Sequence, residues 1–167
     1  TVLASWNEMA SGLVAGIEAR EGSIFVTSIP SIYRVEDLDY DGVAESVETI
    51  HTGFGVKTSL IGHDLHGLVW GPDGKIYFSM GDRGYSVTSD EGKVFEPAMG
   101  PGRGAVFRMN PDGSDLQVFA TGVRNPQELA FDDYGNLFTG DNNGDGGDSA
   151  RIVYLVEGSE TGWAMAF

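Results

Sequence analysis

The chain has 167 residues, 41% of them hydrophobic and 21% charged, an ordinary globular composition that excludes disorder as the default. Twenty-five acidic residues against ten basic ones give a formal net charge of −15, a surface that repels nucleic acid and anionic membranes. There is no cysteine, which excludes disulfides, thiolate metal sites and covalent c-type haem attachment within these residues and leaves the compartment open.

No apolar run approaches the roughly 20 residues of a membrane helix, and the chain does not open on a basic stretch followed by an apolar one. A soluble chain without a membrane segment is expected. It begins at Thr1, so a mature product and a portion of something longer are both open.

In chain order, "GLVAGIEAREGSIFVTS" (12–28) reads as an apolar strand, a turn ending in glycine and a second strand, with a third in "SIYRV" (31–35) and a fourth in "ESVETI". The pattern recurs in "GLVWGPDGKIYFS" (67–79), followed by "GAVFRM" (104–109) and "LQVFAT". It recurs again in "ELAFDDYGNLFTG" (128–140), followed by "RIVYLV" (151–156). The marker glycines Gly22, Gly74 and Gly135 stand 52 and 61 positions apart, more than the ~40 to 50 residues of a plain four-stranded blade. The excess falls in loops. The expected fold is all-β: a β-propeller segment spanning 1–167, with about three to four blades of a larger ring. A sandwich or irregular barrel is the alternative.

Four stretches carry candidate chemistry. "DLDYDGVAESVE" (37–48) satisfies the calcium-loop formula D-x-[DN]-x-[DN]-G-x5-E between two strands rather than two helices. Asp37, Asp39 and Asp41 supply carboxylates, the Val43 carbonyl a further ligand, and Glu48, or Glu45 by a shorter closure, the last. An acidic, solvated hairpin is the plainer alternative. In "TGDNNGDGGDSAR" (139–151), Asp141, Asn143, Asp145 and Asp148 alternate with glycines. That spacing suits a cation or a ligand at a blade end, or turns whose side chains cap backbone amides.

"GVRNPQELAF" (122–131) sets a planar fork, Arg124, and two amides, Asn125 and Gln127, on a short loop stiffened by Pro126. The combination suits a planar ligand rich in carboxylates and carbonyls, or an arginine that ties neighbouring loops. "HDLHGLVWGPDGKIYFSMGDRG" (63–84) puts His63 and His66 at or near a strand end. They are candidates for a base or, with His51, for a metal, although such histidines are more often structural. The glycine-rich loop from Gly81 to Gly104 is long enough to be either functional or disordered.

Together, "HDLHGLVWGPDGKIYFSMGDRG", "GAVFRMNPDGS", "GVRNPQELAFDDYGNLFTGD" and "ETGW", in that order over about residues 60–163, resemble the six-bladed quinoprotein propellers of the glucose and sorbosone dehydrogenase type. The acidic loop and the "GDNNGDGGDSARIVYLVEG" tail are more similar still to large multidomain dehydrogenase-like proteins of planctomycete-type bacteria, where such a propeller accompanies a haem-binding domain. The resemblance implies periplasmic or extracellular oxidation of a sugar or alcohol hydroxyl with pyrroloquinoline quinone and calcium. His63 is then the general base, Arg124, Asn125 and Gln127 contact the quinone, and a cytochrome-type haem domain elsewhere accepts electrons. A noncatalytic, calcium-stabilised propeller that binds carbohydrate or a protein partner is the alternative. Two departures stand out. Gly62 replaces the family's aspartate before the histidine, and the family's Gly-Pro pair is replaced near Asp141 and Asn142.

Overall fold

The computed structural model describes residues 13–55, 62–97 and 102–164. Gly12, residues 60–61 and the loop stretch 98–101, which the sequence reading assigns to a repeat, the family likeness and a loop, lie outside them. The described residues contain strands and no helix, in agreement with the all-β expectation.

The first blade is an antiparallel meander of β1 (Val14–Arg20), β2 (Ser23–Ser28), β3 (Ser31–Glu36) and β4 (Ser46–Thr52). The second contains β5 (Leu65–Trp70), β6 (Ile76–Met80), β9 (Gly104–Met109) and β10 (Gln117–Val123). Between β6 and β9 lies a small hairpin of β7 (Val87–Thr88) and β8 (Val94–Phe95). The third blade has β11 (Leu129–Phe131), β12 (Leu137–Asp141) and β13 (Arg151–Leu155). β14 (Ser159–Glu160) leaves the third blade and pairs in parallel with β10 of the second.

The period-2 alternation of a strand explains how the blades stack. Ile76, Phe78 and Met80 of β6, with Ala105, Phe107 and Met109 of β9, join Phe25, Ile29 and Ile32 of the first blade in one core. The intervening Tyr77 and Val106 face the other way and join Leu129, Leu137, Val153 and Leu155 of the third blade in a second core. A sheet covered on both faces is apolar on both, and β6 is buried throughout, its one polar residue, Ser79, donating to the Pro126 carbonyl. Phe54, Phe78, Phe107 and Tyr85 form an aromatic knot in the first core, with Phe78 and Phe107 stacked at 5.4 Å and Phe54 edge-on to both.

The Gly81–Gly104 loop is therefore no plain spacer. Its Tyr85, Val87 and Phe95 belong to the same core.

The inner strands run side by side in the same sense. A Cβ on Gly16 of β1 would sit 3.4 Å from the backbone of Gly67 in β5, and the Arg20 guanidinium lies over Trp70 at 4.7 Å. Chain reversals consequently sort to two ends. The entry to β5, the exit of β6, the entry to β9 and the exit of β10 share one rim. The Gly-containing turns 71–74 and 110–114 share the other. Those turns and 132–136 have one geometry, in which Gly74, Gly113 and Gly135 donate to the carbonyls of Gly71, Asn110 and Asp132 at 2.9 to 3.1 Å.

The outward face of the third blade leaves Ile152 and Tyr154 exposed, and Ile17 is exposed on the first. Truncation at the shared core should be costly, because Phe107 touches the aromatic knot on several sides. Phe107→Ala in the intact protein is expected to lose about 3–5 kcal/mol of stability, read as a lowered denaturant midpoint. A loss below about 1 kcal/mol would mean that the two blades do not share this core.

Candidate active site

Asp82 is the hub of the rim formed by the second and third blades. It follows β6 directly and is 2% exposed. Its Oδ1 lies 2.9 Å from His63 Nδ1, and its Oδ2 accepts from Trp163 Nε1 at 3.0 Å. Its backbone N–H donates to the Arg124 carbonyl at 2.8 Å, and its own carbonyl accepts from Gly102 at 3.0 Å. The approach of His63 to this turn requires a glycine. A Cβ on Gly81 would lie 2.6 Å from the His63 carbonyl carbon and oxygen, and no side chain fits there.

A carboxylate facing Nδ1 fixes the imidazole tautomer with the proton on Nδ1. His63 Nε2, the ring nitrogen that Asp82 does not engage, is then the atom that can take a proton. His66 and His51 are differently placed. His66 Nε2 lies 2.6 Å from the Gly62 carbonyl oxygen, and buried His51 pairs with the Gly113 carbonyl oxygen at 2.8 Å. The three histidines do not form a metal site.

The Arg124 loop is held to this rim by Asp141, whose side chain is 1% exposed. Asp141 Oδ1 accepts the backbone N–H groups of Arg124 at 2.9 Å and Asn125 at 2.8 Å, and Oδ2 receives Arg151 Nη2 at 2.8 Å. Arg151 Nη2 also donates to the Gly122 carbonyl at 3.0 Å, closing the loop on itself. The Arg124 side chain packs over Trp163 at 5.4 Å, donates from Nη2 to Asp145 at 2.8 Å and from Nη1 to the Asn143 carbonyl. Asn125 is buried, and its Oδ1 has no hydrogen-bond partner. Gln127 is exposed, and its Nε2 lies 3.8 Å from the position a Cβ on Gly62 would take, next to His63. Asn125, Gln127, Asn142, Asp141 and Arg151 line a cleft of about 430 Å³.

Asp141, Asn143, Asp145 and Asp148, whose spacing suits a cation, a ligand or amide-capping turns, make the following contacts in the structure. Asp141 neutralises Arg151 and caps two backbone amides. Asn143 and Asp145 hold Arg124, and Asp148 accepts the Gly144 N–H with both oxygens at 2.8 Å. The three carboxylates thus meet basic groups or backbone amides.

The first acidic loop behaves differently. Oxygens of Asp37, Asp39, Asp41 and Glu45 lie within 4.8 Å of one another. Glu48 lies outside this group, on β4, where it pairs with Arg34 at 2.7 Å. Of the two acids offered as the last ligand, Glu45 lies in this group and Glu48 does not. Val43 is exposed at the loop's end, and its N–H donates to Asp41 at 2.7 Å.

The sequence reading missed Asp82 and Trp163 as site residues. "GDRG" and "ETGW" were visible as motifs, but only the fold brings positions 63, 82 and 163 together.

These features define a β-propeller segment with a carboxylate-braced histidine and an arginine-amide loop on one rim, similar to the propellers of quinoprotein glucose dehydrogenases. Over residues 11–159 the chain matches the family described as a domain of unknown function, DUF7133, and it belongs to that family. It is 30% identical over 128 residues to quinoprotein glucose dehydrogenase B of Acinetobacter calcoaceticus, covering 60% of this chain and 26% of that protein. Its fold superposes on the PQQ-bound aldose sugar dehydrogenase of Streptomyces coelicolor with a TM-score of 0.64 at 24% identity, covering 94% of this chain and 50% of that one. The chain thus spans about a quarter of the first relative and half of the second.

Two outcomes follow from the loop geometry. Asp141→Ala strands two amides and Arg151, so it should cost about 3–5 kcal/mol in chemical unfolding, whereas Asp145→Ala, at the exposed end of its ion pair, should cost no more than about 1 kcal/mol. The Gly144 N–H holds the Asp148 carboxyl below its ordinary value. Its contribution is therefore present above the unfolded carboxylate range and is lost as pH falls through the lowered folded value. Carboxyl NMR should show Asp148 titrating below a free aspartate, and an ordinary midpoint would remove that capping role.

Proposed function

We propose that this segment is part of a quinone-dependent dehydrogenase propeller that oxidises a hydroxyl group of a sugar or alcohol. The observation that carries the reading is the His63–Asp82 pair, joined through the Asp82 backbone to the Arg124 loop. Acid–base chemistry and planar-ligand recognition then share one rim. The pyrroloquinoline quinone named in the Streptomyces structure and the quinoprotein relative suggest the planar ligand.

The residues present fit such a group. The unpartnered Asn125 Oδ1, the exposed Gln127 carboxamide and the cleft of about 430 Å³ beside them offer polar contacts to a ring bearing carboxylates and carbonyls. Arg124, Asn125 and Gln127 would hold it. A bound quinone would supply the acceptor for the two electrons and the hydrogen that leave the substrate carbon. His63 Nε2 takes the hydroxyl proton as the C=O bond forms, and Asp82 stabilises the resulting imidazolium while keeping the ring aimed. Trp163 fixes the second oxygen of Asp82, so the carboxylate has one orientation. Calcium at this cleft is not supported by Asp141, whose oxygens already accept from Arg124, Asn125 and Arg151.

A periplasmic or extracellular setting and a haem domain as electron acceptor belong to the same proposal. A second reading, a noncatalytic propeller that binds carbohydrate or a protein partner, is favoured by the engagement of Arg124 with Asp145 and Asn143.

The two readings separate in the intact protein carrying all its blades. Spectral titration with the quinone should show saturable binding, and His63→Gln should retain it while lowering kcat about 10²- to 10⁴-fold. An absent quinone spectrum rejects the redox reading. Unchanged turnover in His63→Gln rejects the base.

A further inference from the structure

We propose that the loop from Asp37 to Glu45 is a calcium site that braces the far rim of the first blade, independent of the quinone reading. The loop joins β3 to β4 at the end opposite His63, beside the turn between β1 and β2. The Asp37 N–H donates to the Gly22 carbonyl at 3.0 Å, and the Tyr40 hydroxyl lies 3.4 Å from the place of a Cβ on Gly22. An ion there joins two hairpin ends of one blade.

Two observations carry the assignment. The first is convergence, because Asp37, Asp39, Asp41 and Glu45 bring oxygens within 4.8 Å of one another. Four carboxylates at that spacing repel, and the N–H groups of Leu38, Asp41, Gly42 and Val43, which donate to Glu45, Asp39, Asp37 and Asp41, offset that repulsion only in part because they carry no full charge. The basic residues of the described first blade are engaged elsewhere, Arg20 with Glu21 and Trp70, and Arg34 with Glu36 and Glu48.

The second is an unsatisfied buried atom. The Asp37 side chain is buried in the cluster, and its Oδ2 accepts the Gly42 N–H at 3.1 Å. Its Oδ1 has no hydrogen-bond partner. A buried carboxylate oxygen left bare is costly, and a hard cation is the partner its companions specify.

Calcium fits better than magnesium. It tolerates irregular shells of 6 to 8 oxygens and carboxylate-rich loops, whereas magnesium prefers a near-ideal octahedron and retains several waters. The distance of the loop from the His63 rim makes the ion a brace and gives it no part in proton transfer.

The test uses the full-length protein, stripped with chelator and kept free of quinone, and calcium chloride alone as the probe. Wild type should bind calcium, and its melting midpoint should rise with calcium and fall with chelator. Asp39→Asn/Asp41→Asn should lose one calcium per chain by elemental analysis, and Glu45→Gln should weaken that site about tenfold or more. Glu48→Gln should leave it unchanged. Magnesium at equal concentration should not replace calcium.

An equal calcium content in wild type and the Asp39→Asn/Asp41→Asn variant overturns the site. A melting midpoint indifferent to chelator in wild type also overturns it. Calcium loss in Glu48→Gln equal to that in Glu45→Gln overturns the assigned closure. Because the assay contains no quinone, failure of the quinone titration and failure of this site are read separately.

Discussion

Asp82 is a buried carboxylate, and a buried charge is tolerated only where each of its oxygens meets a donor. Here the donors come from distant parts of the chain, His63 on one oxygen and Trp163 on the other, with Arg124 reached through the backbone. Satisfying one charge therefore fixes three segments at once. The distance from the candidate base to the arginine-amide loop follows from that requirement. The rim exists only when the second and third blades have formed and β14 has returned to the outer edge of the second.

The blades make this possible by dividing each strand between two neighbours. Phe78 and Tyr77 are adjacent in sequence yet belong to different cores, one shared with the first blade and one with the third. Because side chains alternate strictly, a one-residue slip of β6 would exchange the two sets and place Tyr77 in the aromatic knot. It would also displace Asp82, which follows Met80 and Gly81 without slack. Packing register and site geometry are consequently one constraint.

The strands were legible because propeller strands combine apolar alternation with glycine turns, and "GPDGKIYF" and "DDYGNLF" show both within a few residues. His63 and the Arg124 loop were legible as residue types, and their common rim follows from strand direction. Asp82 was not, since a partner 19 positions from His63 has no local signature. The place of Glu48 outside the acidic group, where its alternative Glu45 lies, has a clear cause. The calcium-loop formula counts to a closing glutamate carried back by a helix, but here β4 begins at Ser46, and its extended backbone carries Glu48 to Arg34. The contacts of the acids of 141–148 were not legible, because composition does not reveal that Arg124 and Arg151 fold onto them. The two-residue β14, parallel to β10, is too short for any periodicity to announce.

The Arg124 loop holds two carboxylates of very different consequence. Asp141 is buried, satisfies two amides and faces Arg151, so losing it costs several times what a surface pair contributes. Asp145 is 76% exposed, and the net contribution of such a pair is at most about 1 kcal/mol. A ligand carboxylate meeting the Arg124 fork bidentately gains more than that. The loop backbone is thus fixed by one acid, while the other occupies the guanidinium on terms that a carboxylate-bearing ligand can better. The engaged state of Arg124 is compatible with a binding role for this reason, and the cleft beside Asn125 is where the exchange would be felt.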